Sequence, residues 1–168
     1  PMTMVMCDYL LYYPFIDEGT TDPQAMTNSA TLPRYTDGAG VQVMAVSVAG
    51  RTGGQSFNFS YTNQDGVSGR TSKTVIQNTV SVNGSIVTTD RAVNGTSGPF
   101  IALQDGDSGV RSIESVTMLG SDVGLFTLVL VKPIMQTMIR GIDAPVEVDL
   151  AINQAGMPEI QDNAYLNY

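Results

Sequence analysis

The stretch QDGDSGVRSIE, residues 104–114, contains Gly106-Asp107-Ser108-Gly109, the residue types that surround the nucleophile of trypsin-like serine proteases. A serine hydroxyl attacks near neutral pH only when a base takes its proton, most often an imidazole oriented by a carboxylate. The chain has no histidine, and its lysines, Lys73 and Lys132, stand in no catalytic motif. Glycine supplies positive φ while Asp and Ser side chains bond their own backbone, so residues 105–109 read as a turn. A hydrolase built on Ser108 is therefore the weakest functional reading, because the base is missing.

Other constellations fail on spacing. Asp105, Asp107 and Glu114 offer oxygen ligands of the kind calcium takes, but an EF-hand counted from Asp105 puts Gly109, Val110 and Val116 where it needs a ligand, a glycine and a glutamate. TNQDGVSG has the same weakness, with Tyr61 where the first carboxylate belongs. A calcium or glycan site on loops 62–70 and 104–109 stays open. The acidic pairs Asp17-Glu18 and Glu147-x-Asp149 suit glycoside hydrolysis only if they face each other across a cleft. GRTGG, residues 50–54, lacks the lysine and spacing of a phosphate-binding loop. Sequons at Asn58, Asn83 and Asn94 matter only in a eukaryotic secretory route. Cys7 has no second thiol or imidazole with which to bridge or hold zinc, and it reads as a small apolar side chain. No catalytic residue, metal or cofactor is expected.

These residues must be carried by strands. The 168-residue chain is 42% hydrophobic but only 14% charged, below the roughly 25% of an average soluble domain. Exposed helices need Glu, Lys, Arg and Ala on their solvent faces, so this balance favours strands and turns. A net charge of −8 repels phosphate backbones, which argues against direct nucleic-acid binding. The apolar run Val123 to Val131 is far shorter than the ~20 residues of a membrane helix, and no secretory leader pattern opens the chain, so no membrane partner is expected.

Strands are expected at Val41 to Ala49, Ser56 to Thr62, Lys73 to Ile76, Val80 to Val82, Ser85 to Thr88, Phe100 to Leu103, Val110 to Leu119, Gly124 to Ile134 and Val146 to Ala151. Phe57, Phe59 and Tyr61 share one face of the clearest half-buried strand. Leu125 to Val131 reads as a strand covered on both faces. Asp65-Gly66 and Gly120-Ser121-Asp122 read as hairpin connections. The fold class is all-β: an antiparallel β-sandwich, jelly-roll-like, with an extended N-terminal arm (1–36), a sandwich core (37–135) and a C-terminal strand and arm (136–168). Neither end shows a sustained period, yet both hold large aromatic side chains, which stay ordered only when covered. Tyr9, Tyr12, Tyr13, Phe15, Tyr165 and Tyr168 are the expected interface residues, against the alternative that they cap their own core. On that reading, removing residues 1–18 leaves a folded sandwich.

At DYLLYYPFIDEGTTDPQAM…TLPRYTDGAGVQVMAVSV and at GPFIALQDGDSGVRSIESVTML…DVGLFTLVLVKPI, the chain resembles structural proteins encoded in the virion gene clusters of tailed bacteriophages. The likeness spans about residues 8–134 and carries no residue-level motif. It implies a decoration, cement or minor capsid protein of the virion, assembled in the host cytoplasm as a symmetric homo-oligomer. Its partners would be the major capsid protein or other virion proteins. A rival reading is a receptor- or carbohydrate-binding β module of a phage fibre or tail, using loops 62–70 and 104–109.

Overall fold

A computed structural model describes residues 2–28, 30–52, 54–77, 82–87, 98–141, 143, 145–146 and 159–167. Among them every regular element is a strand: β1 (Met2–Tyr12), β2 (Ile16–Asp17), β3 (Gln24–Ala25), β4 (Gln42–Ala49), β5 (Phe57–Asn63), β6 (Arg70–Thr71), β7 (Ile86–Val87), β8 (Val110–Met118), β9 (Leu125–Ile139) and β10 (Leu166–Asn167). The fold is all-β and antiparallel, in two sheets. One runs β10-β1-β9-β4-β7, with β2 also on β9; the other runs β3-β8-β5-β6.

Period-two alternation places the core between the sheets. Phe57, Phe59 and Tyr61 of β5 and Val110, Ile113 and Val116 of β8 face Val41, Val43, Ala45, Phe126, Leu128 and Leu130 of the larger sheet in one buried cluster. The Phe57 and Phe126 rings, 4.8 Å apart, join the layers. A second, smaller cluster lies on the outer face of the larger sheet: Cys7, Val129 and Val131, with Val5, Tyr9, Met44, Val46 and Phe100 packed on it. That cover is why β9 is buried on both faces from Phe126 to Val131.

Four sequence expectations are corrected. Residues 1–36 do not form an arm throughout: Met2–Tyr12 pairs along its length with β9, while β2 and β3 join the two sheets. At Tyr9/Leu11 the extra residue, Leu10, lies in β1, so Leu10 and Leu11 are buried in succession, whereas at Met6/Cys7 the extra residue, Ile134, lies in β9. Cys7 and Asp8 are both buried because Cys7 packs in the outer cluster and Asp8 is held by Arg34, and together these hide the strand period. β9 does not stop at Ile134; Cys7 pairs with Pro133 and Met6 with Met135, so the proline sits at the irregularity where a strand tolerates its missing N–H. Gly120-Ser121-Asp122 does not close a hairpin, because β8 pairs with β5 in one sheet and β9 with β1 and β4 in the other. Phe100 to Leu103 is no strand: the Ile101 N–H donates to the Val43 carbonyl at 2.9 Å and the Lys73 N–H to the Ala102 carbonyl at 2.9 Å, so the segment ties across. Ser85 to Thr88 survives as Ile86–Val87, and Lys73 to Ile76 as a single bridge between Val75 and Phe57. The expected strands Val80 to Val82 and Val146 to Ala151 fall mostly outside the described residues.

Candidate functional site

The Gly106-Asp107-Ser108-Gly109 turn is held by its carboxylate. Asp107 accepts from the Tyr61 hydroxyl at 2.5 Å, the Asn63 amide at 2.8 Å, and Arg70 Nε and Nη2 at 2.8 and 3.2 Å. The Arg70 hydrogen bonds, with those from Tyr61 and Asn63, hold the Asp107 carboxyl down at about 2 despite partial burial. Burial, then the bond to Asp107, pushes the Tyr61 phenol up to about 12. A carboxylate so fully engaged is a poor base. The Ser108 and Gly109 amides both donate to Gln64 Oε1, at 3.0 and 3.1 Å. Gly109 is required, since a Cβ there would collide with the Gly38 carbonyl where residues 39 and 109 form a bridge. Ser108 is exposed on this turn. Asp105 is 91% exposed and pairs with Lys73 at 2.9 Å. Among the described residues no group of three metal-ligating side chains assembles.

Glu114 is committed in the same way. It accepts from Ser60 at 2.8 Å, Thr62 at 2.9 Å and the Gly69 amide at 3.1 Å. Burial raises the carboxyl, but these hydrogen bonds outweigh it, so it lies below its ordinary value. These bonds and those of Asp107 cinch loops 62–70 and 104–109 into one end of the smaller sheet.

Glu18, one of the nominated acidic pair, lies fully buried against Arg51 at 2.5 Å, with the Arg51 side chain also fully buried. Burial raises the Glu18 carboxyl and Arg51 opposes that shift; the Arg51 guanidinium is lowered by burial. Gly124 makes room, because a Cβ there would strike Arg51 Cγ. The other nominated pair, Glu147 and Asp149, lies outside the described residues.

At the opposite edge Asp8, wholly buried, receives Arg34 Nε and Nη2 at 2.6 Å each and the Tyr165 amide at 2.8 Å. The Tyr9 and Tyr165 rings meet edge to face, 6.4 Å between centroids. Beside this clasp opens a groove of about 640 Å³, lined by Arg34, Tyr35, Asp37, Lys132, Ile134 and Glu159 among others. Lys132 donates to the Ala39 carbonyl at 2.7 Å and lies 5.3 Å over the Tyr35 ring. Tyr35 holds φ +50°, a strained backbone for a bulky residue.

The expected interface aromatics separate. Tyr12 and Phe15, each 60% exposed, and Tyr165, 71% exposed, stand at the surface; Tyr9 is half-buried against Tyr165. Tyr13 is corrected: it is 2% exposed, and its hydroxyl accepts the Ile113 amide at 2.8 Å, so it belongs to its own core. Tyr168 lies outside the described residues.

A surface that sequence reasoning missed is built by Met2–Met6 and the end of β9. Met2 pairs with Ile139, Met4 with Thr137 and Met6 with Met135, while Thr3 pairs with Met138 and Val5 with Gln136. Residues directly opposite share a face, so Met2, Met4, Met6, Met135, Thr137 and Ile139 line one side. Alternation from Met6 to Asp8 puts that side on the same face as the groove. Among the described residues this stretch is a two-stranded ribbon, because β4 leaves β9 at Val131 and β10 meets β1 only at Cys7 and Asp8. Met2 is 66% and Met138 51% exposed. The signal was present as M-T-M-V-M, a period of two with methionine at every second place.

No family model matches the chain, and comparisons with curated proteins and with solved structures found no match.

Proposed function

We propose that the chain is a noncatalytic structural protein of a bacteriophage virion, decorating or cementing the capsid through protein-protein contacts. The observation that carries this reading is a contrast in where side chains are spent. Asp107, Glu114 and Asp8 are engaged by internal hydrogen bonds, and Glu18 is buried in an ion pair with Arg51. Apolar side chains that an isolated domain gains by burying stand outside instead: Met2, Tyr12, Phe15, Met138 and Tyr165. The jelly-roll-like closure and the contact-making chain ends belong to this reading, with contacts assigned to exposed parts of the ends and not to their buried strands.

The test is to purify particles of the phage carrying this chain on a density gradient and quantify the chain in them by mass spectrometry. Presence in particles, with occupancy lowered about tenfold by a Tyr12→Ser/Phe15→Ser double substitution, is expected for anchors at a contact centre. Absence from particles ends the reading.

One observation favours the rival, a receptor- or carbohydrate-binding module. Loops 62–70 and 104–109 lie together through the Gln64 and Arg70 bonds, and they present Asp65, Val67, Asp105 and Ser108 at the surface. A glycan array probed with the purified chain separates the two, since binding abolished by Asp65→Ala and Asp105→Ala favours the module.

A further inference from the structure

We infer that the chain pairs with a second copy of itself through the outer edge of β1 at Met2–Met6, so that two ribbons join as one four-stranded antiparallel sheet, β9-β1-β1-β9. The inference rests on the assembly reading above and names one partner within it.

Among the described residues the edge is open. β9 occupies one side of β1 along its length, whereas β10 covers the other side only at Cys7 and Asp8, so the N–H and C=O groups on that side of Met2–Met6 have no strand partner among the described residues. An isolated two-stranded ribbon is marginal in water, and a third strand with an apolar face is what makes such an element stable. Edges that must stay single are guarded by charges, proline or inward-turned bulges. Met2–Met6 carries no charge or proline, the register shift falling at its end between Met6 and Cys7, and its partner stretch Met135–Ile139 carries no charge either. In a chain of net charge −8, two like copies repel least where they meet through uncharged segments.

The pattern is self-complementary. Antiparallel pairing centred on Met4 sets Met4 opposite Met4, Met2 opposite Met6, and Thr3 opposite Val5 of the other copy. Methionine therefore meets methionine across the axis, and opposed residues share a face. A two-fold axis normal to the sheet keeps both methionine faces on the same side, giving an isologous contact that closes at two copies. Eight methionines share that face in the pair, Met2, Met4, Met6 and Met135 from each copy, while Met138 lies on the other face. Methionine is unbranched and polarizable, so this face adapts to whatever lies over it. At its other end the incoming strand is bounded by β10, which pairs with β1 at Cys7.

Sedimentation velocity on the purified full chain tests this from about 1 to 100 μM. A monomer-dimer equilibrium is expected. Met4→Lys and Met4→Glu each place like charges opposite one another at the axis and raise the dissociation constant about tenfold or more. Mixing the two variants restores dimer, an outcome that mere misfolding does not produce. A variant-free check is hydrogen exchange of the wild-type amides at Met2–Met6, which slows as concentration rises. A chain monomeric at 100 μM, a dimer indifferent to both charges, or exchange at Met2–Met6 independent of concentration overturns the proposal. Because only the purified chain is used, dimerisation and particle incorporation succeed or fail separately.

Discussion

Asp107 sets how the molecule answers to acid. Its carboxyl lies at about 2 in the folded chain, below the ~4 of an unfolded aspartate, so it stabilises the fold above pH 4 and that contribution drains away as pH falls from 4 toward 2. Asp107→Asn is expected to cost about 2 kcal/mol at pH 7 through the donors left imperfectly paired, and to flatten the acid limb of a stability-against-pH curve measured by urea unfolding. Tyr61 acts at the other end of the scale: its phenol, raised to about 12, favours the folded state below pH 10 and ceases to as pH climbs toward 12. The Glu18 and Arg51 pair behaves differently. Arg51→Met strands a buried carboxylate and costs about 3 to 5 kcal/mol, whereas Glu18→Leu with Arg51→Met is near neutral, since apolar replacement removes both desolvation penalties. Thermal or denaturant melts of the three proteins distinguish these cases, and a double variant no more stable than the single refutes the account.

At the scale of elements, β1 decides which truncations are tolerated. Leu10, Leu11, Tyr13 and Ile16 are all core residues, so the expectation that residues 1–18 can be removed is reversed: that deletion strips these four side chains from the core and leaves β9 paired on one side only, with β4. Removal of residues 1–5 trims only the ribbon and is expected to retain a cooperative melt, while removal of 1–18 yields no cooperative transition by circular dichroism. Sequence reading found β4, β5, β8 and the first part of β9 to within a residue or two, because a face that alternates without interruption writes itself into hydrophobic spacing. β1 escaped for the reason that the bulge at Leu10 shifts its phase and that Cys7 and Asp8 are covered on opposite faces. The turn at Gly106-Asp107-Ser108-Gly109 was legible from its glycines. Its partners were not, because Tyr61, Asn63 and Arg70 lie 37 to 46 positions upstream and nothing local encodes that meeting.

Across the whole molecule the two chain ends are fastened by one buried carboxylate. Asp8 holds Arg34 from one segment and the Tyr165 amide from another, and the Tyr9 amide donates to the Tyr165 carbonyl at 2.8 Å. Asp8→Asn is expected to weaken the clasp by about 3 kcal/mol, releasing residues 159–167 to limited proteolysis before the sandwich itself unfolds. Cleavage at the wild-type rate would show that the segment is held by other contacts.

The pairing of β1 with β9 also dictates an order of events at birth. Tyr12 meets Val129 and Met2 meets Ile139, so β1 must wait for a partner synthesised more than a hundred residues later. At cellular translation speeds of 5 to 20 residues per second, that interval is roughly 6 to 25 seconds, during which an uncharged, methionine-rich β segment is bare. Yield in a heterologous host is accordingly expected to respond to how fast translation proceeds and to how well holdase chaperones shield the nascent β1.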